Sequence, residues 1–258
     1  MTAIQPSFRR MAEYAAQGCL VKPLLSRFFQ DQELIFNFDL HLERSGQRAP
    51  DGWFHASTHP NATVHDLWLY LARPEDLPAD PMGYVGWMST MFGTVAHGVI
   101  EAALDHLGVM VPLPEGNCPA CGRPYKPRRA RQAKKWCMEH GAADPATRSR
   151  CHMDGILDFG GPHLWGFDFK TIRPMGLSGV PDMDPEFFRE KWPKYWAQMQ
   201  ECMRLSGLRH YIVFFLTLGN PWEMREFHLD FDPAFAAETE FKYRRVIEAV
   251  EAGREIWL

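Results

Sequence analysis

Two aspartates and one lysine suggest the first chemistry that this sequence could perform. Asp154 lies in one short apolar segment, and Asp168 and Lys170 lie in the next, beyond a Gly-Gly-Pro turn. Residues two apart on a strand point to the same face, so the side chains of Asp168 and Lys170 are expected to be neighbours. Two carboxylates that converge with a lysine can hold a divalent cation beside an attacking water. The set therefore predicts metal-assisted hydrolysis of a phosphodiester bond.

The alternative for the same stretch is an ordinary solvated strand edge, because Asp-x-Lys is a short pattern that arises often by chance. The flanking residues favour the functional interpretation, since charges embedded among apolar side chains are costly unless they have a role. The apolar residues around the three charged ones are Ile156, Leu157, Leu164, Trp165, Phe167 and Phe169.

Helices and strands that could position these residues follow from the pattern of the C-terminal half. Strands are predicted near 150–159 and 163–171, with a Pro/Gly loop over 172–184. A helix is predicted from about Pro193 to Gly207, with proline at its first turn and glycine at its end. The apolar segment 210–217 predicts a central strand, 222–229 a further strand, and Asp232-Pro233 the start of a last helix that ends near Glu255. This order favours an α/β fold with a mixed central sheet flanked by helices.

The N-terminal half is less regular. Residues 8–29 have helical periodicity interrupted near Pro23, 34–42 predict a strand, and 63–71 predict a helix. Residues 85–108 predict an amphipathic helix that ends at Gly108. We therefore expect an N-terminal helical or irregular region (1–84) packed on a core (85–258), with residues 111–148 inserted into that core.

Bulk composition excludes several classes of protein. The chain has 258 residues, of which 46% are hydrophobic and 23% charged, and no apolar run is long enough to span a membrane. The N-terminus lacks the apolar core of a signal peptide, so a cytoplasmic location is expected. A net charge of −4 and a pI of about 6.3 exclude a uniformly basic DNA-coating protein but leave room for a local basic patch.

The insertion carries a second candidate metal site. Its pattern is Cys-x2-Cys, then fifteen residues, then Cys-x2-His, which is typical of a zinc-ribbon-like structural site with four tetrahedral ligands. Scattered free thiols are the alternative, but they would leave a long polar insert without a core. Cys151 could replace the histidine, and Cys19 and Cys202 are expected to be buried thiols. The predicted Zn²⁺ ligands are Cys118, Cys121, Cys137 and His140.

A dense run of positive charge separates the two ligand pairs. It contains no acidic residue, although the whole chain is acidic. A solvated loop is the alternative, but beside a zinc site and a hydrolytic site the run favours contact with the DNA backbone, which carries little sequence specificity. The predicted DNA-binding residues are Arg123, Lys126, Arg128, Arg129, Arg131, Lys134 and Lys135.

Several motifs occur together in an order that identifies a family resemblance. They are Gly93-x-x-x-His97, then Asp154, then Asp168-Phe-Lys170, then Gln198 within Ala197-Gln-Met-Gln-Glu-Cys-Met203. Over about residues 85–217 the sequence resembles the PD-(D/E)xK nuclease superfamily, in particular RecB-type domains, CRISPR-associated RecB-like nucleases and phage lambda-type exonucleases. Two features depart from the pattern. Cys202 stands where the family's Gln-x-x-x-Tyr has tyrosine, and the cysteines do not fit the iron–sulfur variants.

The resemblance implies a restriction-endonuclease-like core and a role for each matching residue. Asp154 and Asp168 would bind Mg²⁺ or Mn²⁺, with the carbonyl group of Phe169 completing the shell. His97 would be an additional ligand that favours Mn²⁺, unless it is a hydrogen-bonded core histidine. Lys170 would orient or deprotonate the attacking water and stabilise charge on the phosphorus.

The helix after the hairpin would place a glutamine at the same site. Gln198 would position the water, Lys170 or a DNA phosphate, and Gln200 is the competing residue. Because residues two apart on a helix face different ways, we expect only one of them, Gln198, to point inward. Asp158 is expected to tighten the hairpin turn and not to bind metal.

The implied activity is that of a metal-dependent DNA nuclease, with exonucleolytic processing of DNA ends in recombination or repair favoured. A structure-specific or restriction-type endonuclease is one alternative, and a non-catalytic, zinc-dependent DNA-binding adaptor is another. The resemblance also allows a phage origin, a recombination or replication partner, or a homo-oligomeric ring around DNA.

Overall fold

The structure is a computed structural model that describes residues 18–21, 24–25, 51–77, 84–111, 142–173, 176–218 and 223–257. For residues 84–91 it describes the backbone alone. The described strands are β1 (Phe54–His55), β2 (Ala142–Asp144), β3 (Ser149–Cys151), β4 (Gly155–Asp158), β5 (Leu164–Ile172), β6 (His210–Thr217) and β7 (Met224–Asp230). The helices are α1 (Val64–Ala72), α2 (Tyr84–His106), α3 (Pro185–Lys191), α4 (Pro193–Ser206) and α5 (Pro233–Glu251), with a 3₁₀ turn at Pro74–Asp76.

A four-stranded mixed sheet, in the order β4-β5-β6-β7, forms the centre of the fold. β5 is antiparallel to β4 and parallel to β6, with Asp168 opposite Val213 and Lys170 opposite Phe215. Two parallel neighbours need a long crossover, and α3 and α4 provide it between β5 and β6. The fold is therefore α/β with a mixed sheet, as the order of the elements predicted.

Apolar side chains cover both faces of this sheet. On one face Tyr211, Val213 and Phe215 pack in a cluster with α3 and α4. On the other face Phe167, Phe169 and Phe214 pack against the apolar side of α2. The strand β6 is apolar on both faces because both are buried, which explains its continuous hydrophobic run.

A second, three-stranded sheet has the order β1-β3-β2, with β1 parallel to β3 and β2 antiparallel to it. The sequence pattern did not predict this sheet. Residues 150–159, predicted as one strand, divide into β3 in the small sheet and β4 in the large one, because the chain turns between Cys151 and Gly155. Residues 142–148, assigned to the insertion by composition, form β2 and its turn to β3.

Helix ends follow the local signals. Thr63 and Asp66 form a capping box at α1, and Asp232 accepts two backbone N–H groups at the start of α5. α4 begins at Pro193 and ends at Gly207, whose φ of 75° is left-handed and favours glycine. The helices predicted at 63–71, 85–108 and 193–207 are confirmed, whereas α3 was not predicted. The predicted strand at 34–42 and most of the predicted helix at 8–29 lie outside the described residues.

Among the helices that the structure describes, none is long and apolar enough to cross a membrane.

Candidate active site

The hairpin of β4 and β5 brings Asp154 to the strand that carries Asp168 and Lys170. Asp154 is the residue immediately before β4, one position earlier than the predicted place on the strand itself. Its N–H donates to the carbonyl oxygen of Phe167 at 3.0 Å, and its Oδ2 accepts the N–H of Phe169 at 2.8 Å. At the other end of β4, Asp158 accepts the N–H of Gly160, so it tightens the turn as predicted.

Asp168 and Lys170 lie side by side on β5, as their spacing predicted. Lys170 Nζ is 3.3 Å from Asp168 Oδ1, and the Asp168 side chain is almost fully buried. The Asp154 and Asp168 carboxyl groups are close enough to hydrogen-bond to each other. Three ionisable groups therefore meet at one end of the hairpin.

Tyr211 on β6 holds the second oxygen of Asp168. Its hydroxyl donates to Asp168 Oδ2 at 2.7 Å, and the whole side chain is buried. The ring reaches this position because its neighbour on β5 is Gly166, where an added Cβ would lie 2.3 Å from the ring carbons. Tyr211 was not among the predicted site residues, although a tyrosine in an otherwise apolar strand indicates a buried hydroxyl that needs a hydrogen-bond partner.

Burial and mutual charge change the acidity of the three groups. Burial raises the pKa of Asp168 to about 6, and the negative charge of Asp154 adds to the rise, while Lys170 and the Tyr211 hydroxyl oppose it. Burial alone would lower the pKa of Lys170, but the carboxylates of Asp168 and Asp154 outweigh it and raise that pKa. Lys170 is therefore a retained positive charge beside two carboxylates, one of which resists ionisation.

His97 on α2 approaches Asp154 from the other side. Its Nδ1 lies 3.2 Å from Asp154 Oδ2, and its ring stands edge-on to the buried ring of Phe169, with centroids 4.8 Å apart. Close approach of α2 to β5 is possible at Gly93, where a Cβ would lie 3.1 Å from the Thr171 hydroxyl oxygen. The predicted Gly-x-x-x-His motif thus places the histidine against the hairpin.

Glu101, one helical turn after His97, joins the same group. One potential ligand atom each from His97, Glu101 and Asp154 lies within 4.8 Å of the others, and Glu101 is buried. Glu101 was not among the predicted ligands. Its spacing of four residues from His97 on a helix is the signal that would have placed both on one face.

This donor set fits a hard divalent cation. Carboxylate oxygens are the ligands that Mg²⁺ and Mn²⁺ prefer, and an imidazole nitrogen is compatible with Mn²⁺. Asp154 belongs to both groups, since its carboxylate lies 3.2 Å from His97, within 4.8 Å of Glu101 and within hydrogen-bonding reach of Asp168. Phe169, whose carbonyl group is a predicted ligand, lies between Asp168 and Lys170 with its side chain buried.

Both glutamines of α4 are buried, contrary to the expectation that only one points inward. The Gln200 amide donates to the Asp230 carbonyl and accepts the N–H of Asp232, so it joins α4 to the turn between β7 and α5. Within the described part of the chain no hydrogen bond engages the Gln198 amide, which leaves it available to a ligand.

Cysteine positions agree with part of the expectation. Cys19 and Cys202 are buried free thiols, as predicted. Cys151 is also buried and lies within hydrogen-bonding reach of Cys202 in the core. The predicted zinc ligands and the seven predicted DNA-binding residues lie outside the described residues.

Comparisons with known proteins give solved structures of low identity. No protein-family model and no curated protein matches the chain. An alkaline exonuclease (LHK-Exo) from Laribacter hongkongensis is 16% identical, with a TM-score of 0.45, and the match covers 80% of this chain and 91% of that one. The structure of LHK-Exo in complex with dAMP is also 16% identical, with a TM-score of 0.44, and the match covers 78% of this chain and 89% of that one. The protein SSO0001 is 13% identical, with a TM-score of 0.38, and the match covers 89% of this chain and 83% of that one.

Proposed function

We propose that the chain is a divalent-metal-dependent DNA nuclease that removes nucleotides from DNA ends. The observation that carries the proposal is the meeting of Asp154, Asp168 and Lys170 at one end of the hairpin, with His97 against Asp154. Two carboxylates and an ammonium group, brought together largely out of water, form a site that stabilises negative charge on a phosphate.

Each group then has a defined task. Asp154, Asp168 and His97 would hold Mg²⁺ or Mn²⁺, and the cation would offset the negative charge of the phosphate and favour attack by water. Lys170, held 3.3 Å from Asp168, directs its ammonium group toward the reacting phosphate and stabilises the added charge. Water attacks phosphorus and loses a proton, the bond to the leaving oxygen breaks, and that oxygen takes up a proton to leave as an alcohol. Gln198, buried with its amide available, orients the water or the phosphate.

Action at ends, rather than within the chain, is supported by the resemblance of the segment 197–203 to lambda-type exonucleases. Recombination or repair is the process that this activity would serve.

We also propose that structural Zn²⁺ is bound by four residues with zinc-ribbon spacing, Cys118, Cys121, Cys137 and His140. The basic residues between them would contact the DNA backbone. Metal analysis of the purified protein should find about one zinc per chain, and a zinc-free preparation that folds normally would remove this part of the proposal.

The activity is tested with labelled linear, nicked and covalently closed circular duplex DNA in Mg²⁺ or Mn²⁺. We expect nucleotides to be released from linear DNA while closed circles stay intact. Asp154→Asn and Lys170→Met should each lower the rate by about a hundredfold or more. The matched control is Asp158→Asn, since Asp158 is an exposed carboxylate on the same hairpin that only tightens its turn.

The outcomes separate the parts of the proposal. Cleavage of closed circles would show an endonuclease and overturn the assignment to DNA ends. Absence of cleavage in both metals, or full activity of Asp154→Asn and Lys170→Met, would overturn the nuclease itself.

A further inference from the structure

Lys170 has an aromatic partner besides its carboxylate partner. Its Nζ lies 5.4 Å from the centroid of the Tyr195 ring, over the ring face. A cation within about 6 Å of a ring centroid is attracted by the negative face of the ring. The ammonium group therefore sits between Asp168 Oδ1 and Tyr195.

Other contacts fix the Tyr195 ring in place. Tyr195 lies in the first turn of α4, half-buried, and its ring centroid is 6.0 Å from that of Phe215. Phe215 is the residue of β6 directly opposite Lys170 on β5. The ring is thus packed against the core, and Lys170 approaches a surface that already exists.

Cation binding would leave Lys170 more dependent on this ring. In the proposed nuclease Asp168 directs its charge to the divalent cation, so its attraction for the lysine weakens. A hard divalent cation prefers oxygen ligands and does not bind a neutral aromatic ring. The attraction between the Tyr195 ring and the Lys170 ammonium group is therefore unchanged when the cation binds.

Position on the helix supports the same role. The tyrosine of the family motif is replaced by Cys202, which is fully buried against Cys151. Tyr195 precedes Gln198 by three residues, and residues three apart share one face of a helix. An aromatic residue is therefore available on the other side of Gln198, where it contacts the lysine.

We infer that Tyr195 is a positioning residue for Lys170, and that the face of its ring holds the ammonium group in place during hydrolysis. This inference rests on the proposed nuclease function.

The experiment measures kcat and KM on linear DNA for Tyr195→Leu and Tyr195→Phe, with melting temperatures as a check on folding. Tyr195→Leu should lower kcat by about tenfold with KM within about twofold, because loss of the cation–π contact misplaces the lysine without removing a DNA contact. Tyr195→Phe keeps the ring and should stay near the wild-type kcat. The matched control is Phe187→Leu, the loss of another half-buried ring from the same apolar cluster, which contacts Lys191 and Trp192 and should leave kcat unchanged.

The experiment distinguishes a wrong role for Tyr195 from a wrong assignment of nuclease activity. A wild-type chain that cuts no DNA refutes the nuclease and the inference with it. Wild-type cleavage that Tyr195→Leu leaves unchanged, or that Phe187→Leu lowers equally, refutes the inference alone. Equal losses in Tyr195→Phe and Tyr195→Leu would assign the effect to the hydroxyl group and also refute it. Tyr195→Met, which fills similar volume without a ring, replaces the leucine variant if that variant melts early.

Discussion

The carboxyl group of Asp168 is costly to the fold when it is ionised. Burial raises its pKa to about 6 from an ordinary value of 3.8, so the folded chain binds this proton more tightly than the unfolded chain does. The contribution of the protonated Asp168 carboxyl group to the free energy of unfolding is therefore fully present below about pH 4, and it is lost as the pH rises through about 6. At neutral pH the fold holds a buried negative charge that a cation would offset.

Replacement of Asp168 by asparagine should make the metal-free fold more stable while it abolishes stabilisation by Mn²⁺. In EDTA at pH 7, Asp168→Asn should raise the free energy of unfolding by about 1 kcal/mol, because the gain from removing the buried carboxylate charge is partly offset by the loss of the ion-pair partner of Lys170. The gain should shrink toward pH 5. Added Mn²⁺ should stabilise the wild type and leave the variant unchanged, because the amide is a poor ligand. Urea denaturation with and without Mn²⁺ measures both effects, with Asp158→Asn as the exposed control. A variant that is less stable than wild type in EDTA at pH 7 would contradict the expectation.

Short-range patterns predicted part of the site. Asp168 and Lys170 follow from strand periodicity, and His97 and Asp154 follow from motif order. Tyr211 and Glu101 were missed as site residues because their roles depend on which strand pairs with β5 and on how α2 crosses it. Both arrangements bring together residues that are far apart in sequence, and local sequence patterns do not indicate which distant residues will be neighbours.

At the scale of elements, the Tyr211 side chain of β6 must lie across Gly166 of β5 for the site to form. Gly166 faces Tyr211 across the two strands, and the ring occupies the space where a Cβ would stand. The tyrosine hydroxyl reaches Asp168 only because of this contact. A glycine in the interior of a strand, normally a weak choice, here allows the close approach of a neighbouring side chain.

Gly166→Ala should therefore displace the Tyr211 ring and deprive Asp168 of its donor. We expect a loss of about 1–3 kcal/mol in unfolding free energy from overpacking. We also expect about tenfold weaker Mn²⁺ binding, because Asp168 loses the hydrogen bond from the Tyr211 hydroxyl. Urea denaturation and calorimetric titration measure the two. Gly161→Ala, in the open turn of the same hairpin, has no neighbouring atom within 4 Å and should change neither. Unaltered Mn²⁺ affinity in Gly166→Ala would show that Tyr211 does not support Asp168.

Element boundaries were predictable where chemistry marks them. Proline and glycine delimit α4, and Asp232-Pro233 begins α5, so those helices were found nearly at their ends. The small sheet was missed because its strands contain two or three residues each, too few to show a period. Its pairing is set instead by contacts such as that of Phe54 with Ser149, nearly a hundred positions away.

At the scale of the whole molecule, the region 51–77 is fastened to the C-terminal helix. Phe54, Leu67 and Trp68 pack with Tyr243 and Val246 of α5 in an apolar cluster separate from the two that cover the large sheet. Lys242 of α5 donates to the carbonyl oxygens of Pro60 and Ala62 at 2.6 and 3.2 Å. These contacts join residues that are about 180 positions apart in sequence.

His59 makes this attachment sensitive to acid. Burial lowers the pKa of its imidazole from 6.5 to about 4, and the neighbouring His55 adds to the effect. Its Nδ1 accepts the N–H of His55 at 2.6 Å, which a protonated ring could not do. Because the folded state disfavours the proton, the stability contributed by neutral His59 is present above about pH 6.5 and is lost as pH falls toward 4.

The loss should amount to about 3 kcal/mol between those limits. His59→Asn keeps an acceptor near the position of Nδ1 but does not titrate, so its unfolding free energy should fall less between pH 7.5 and pH 4.5 than that of the wild type. The difference between the two proteins isolates His59, because every other titrating group is common to both. Parallel curves for wild type and His59→Asn would show that His59 takes up its proton without breaking its contacts, and that acid weakens the fold elsewhere.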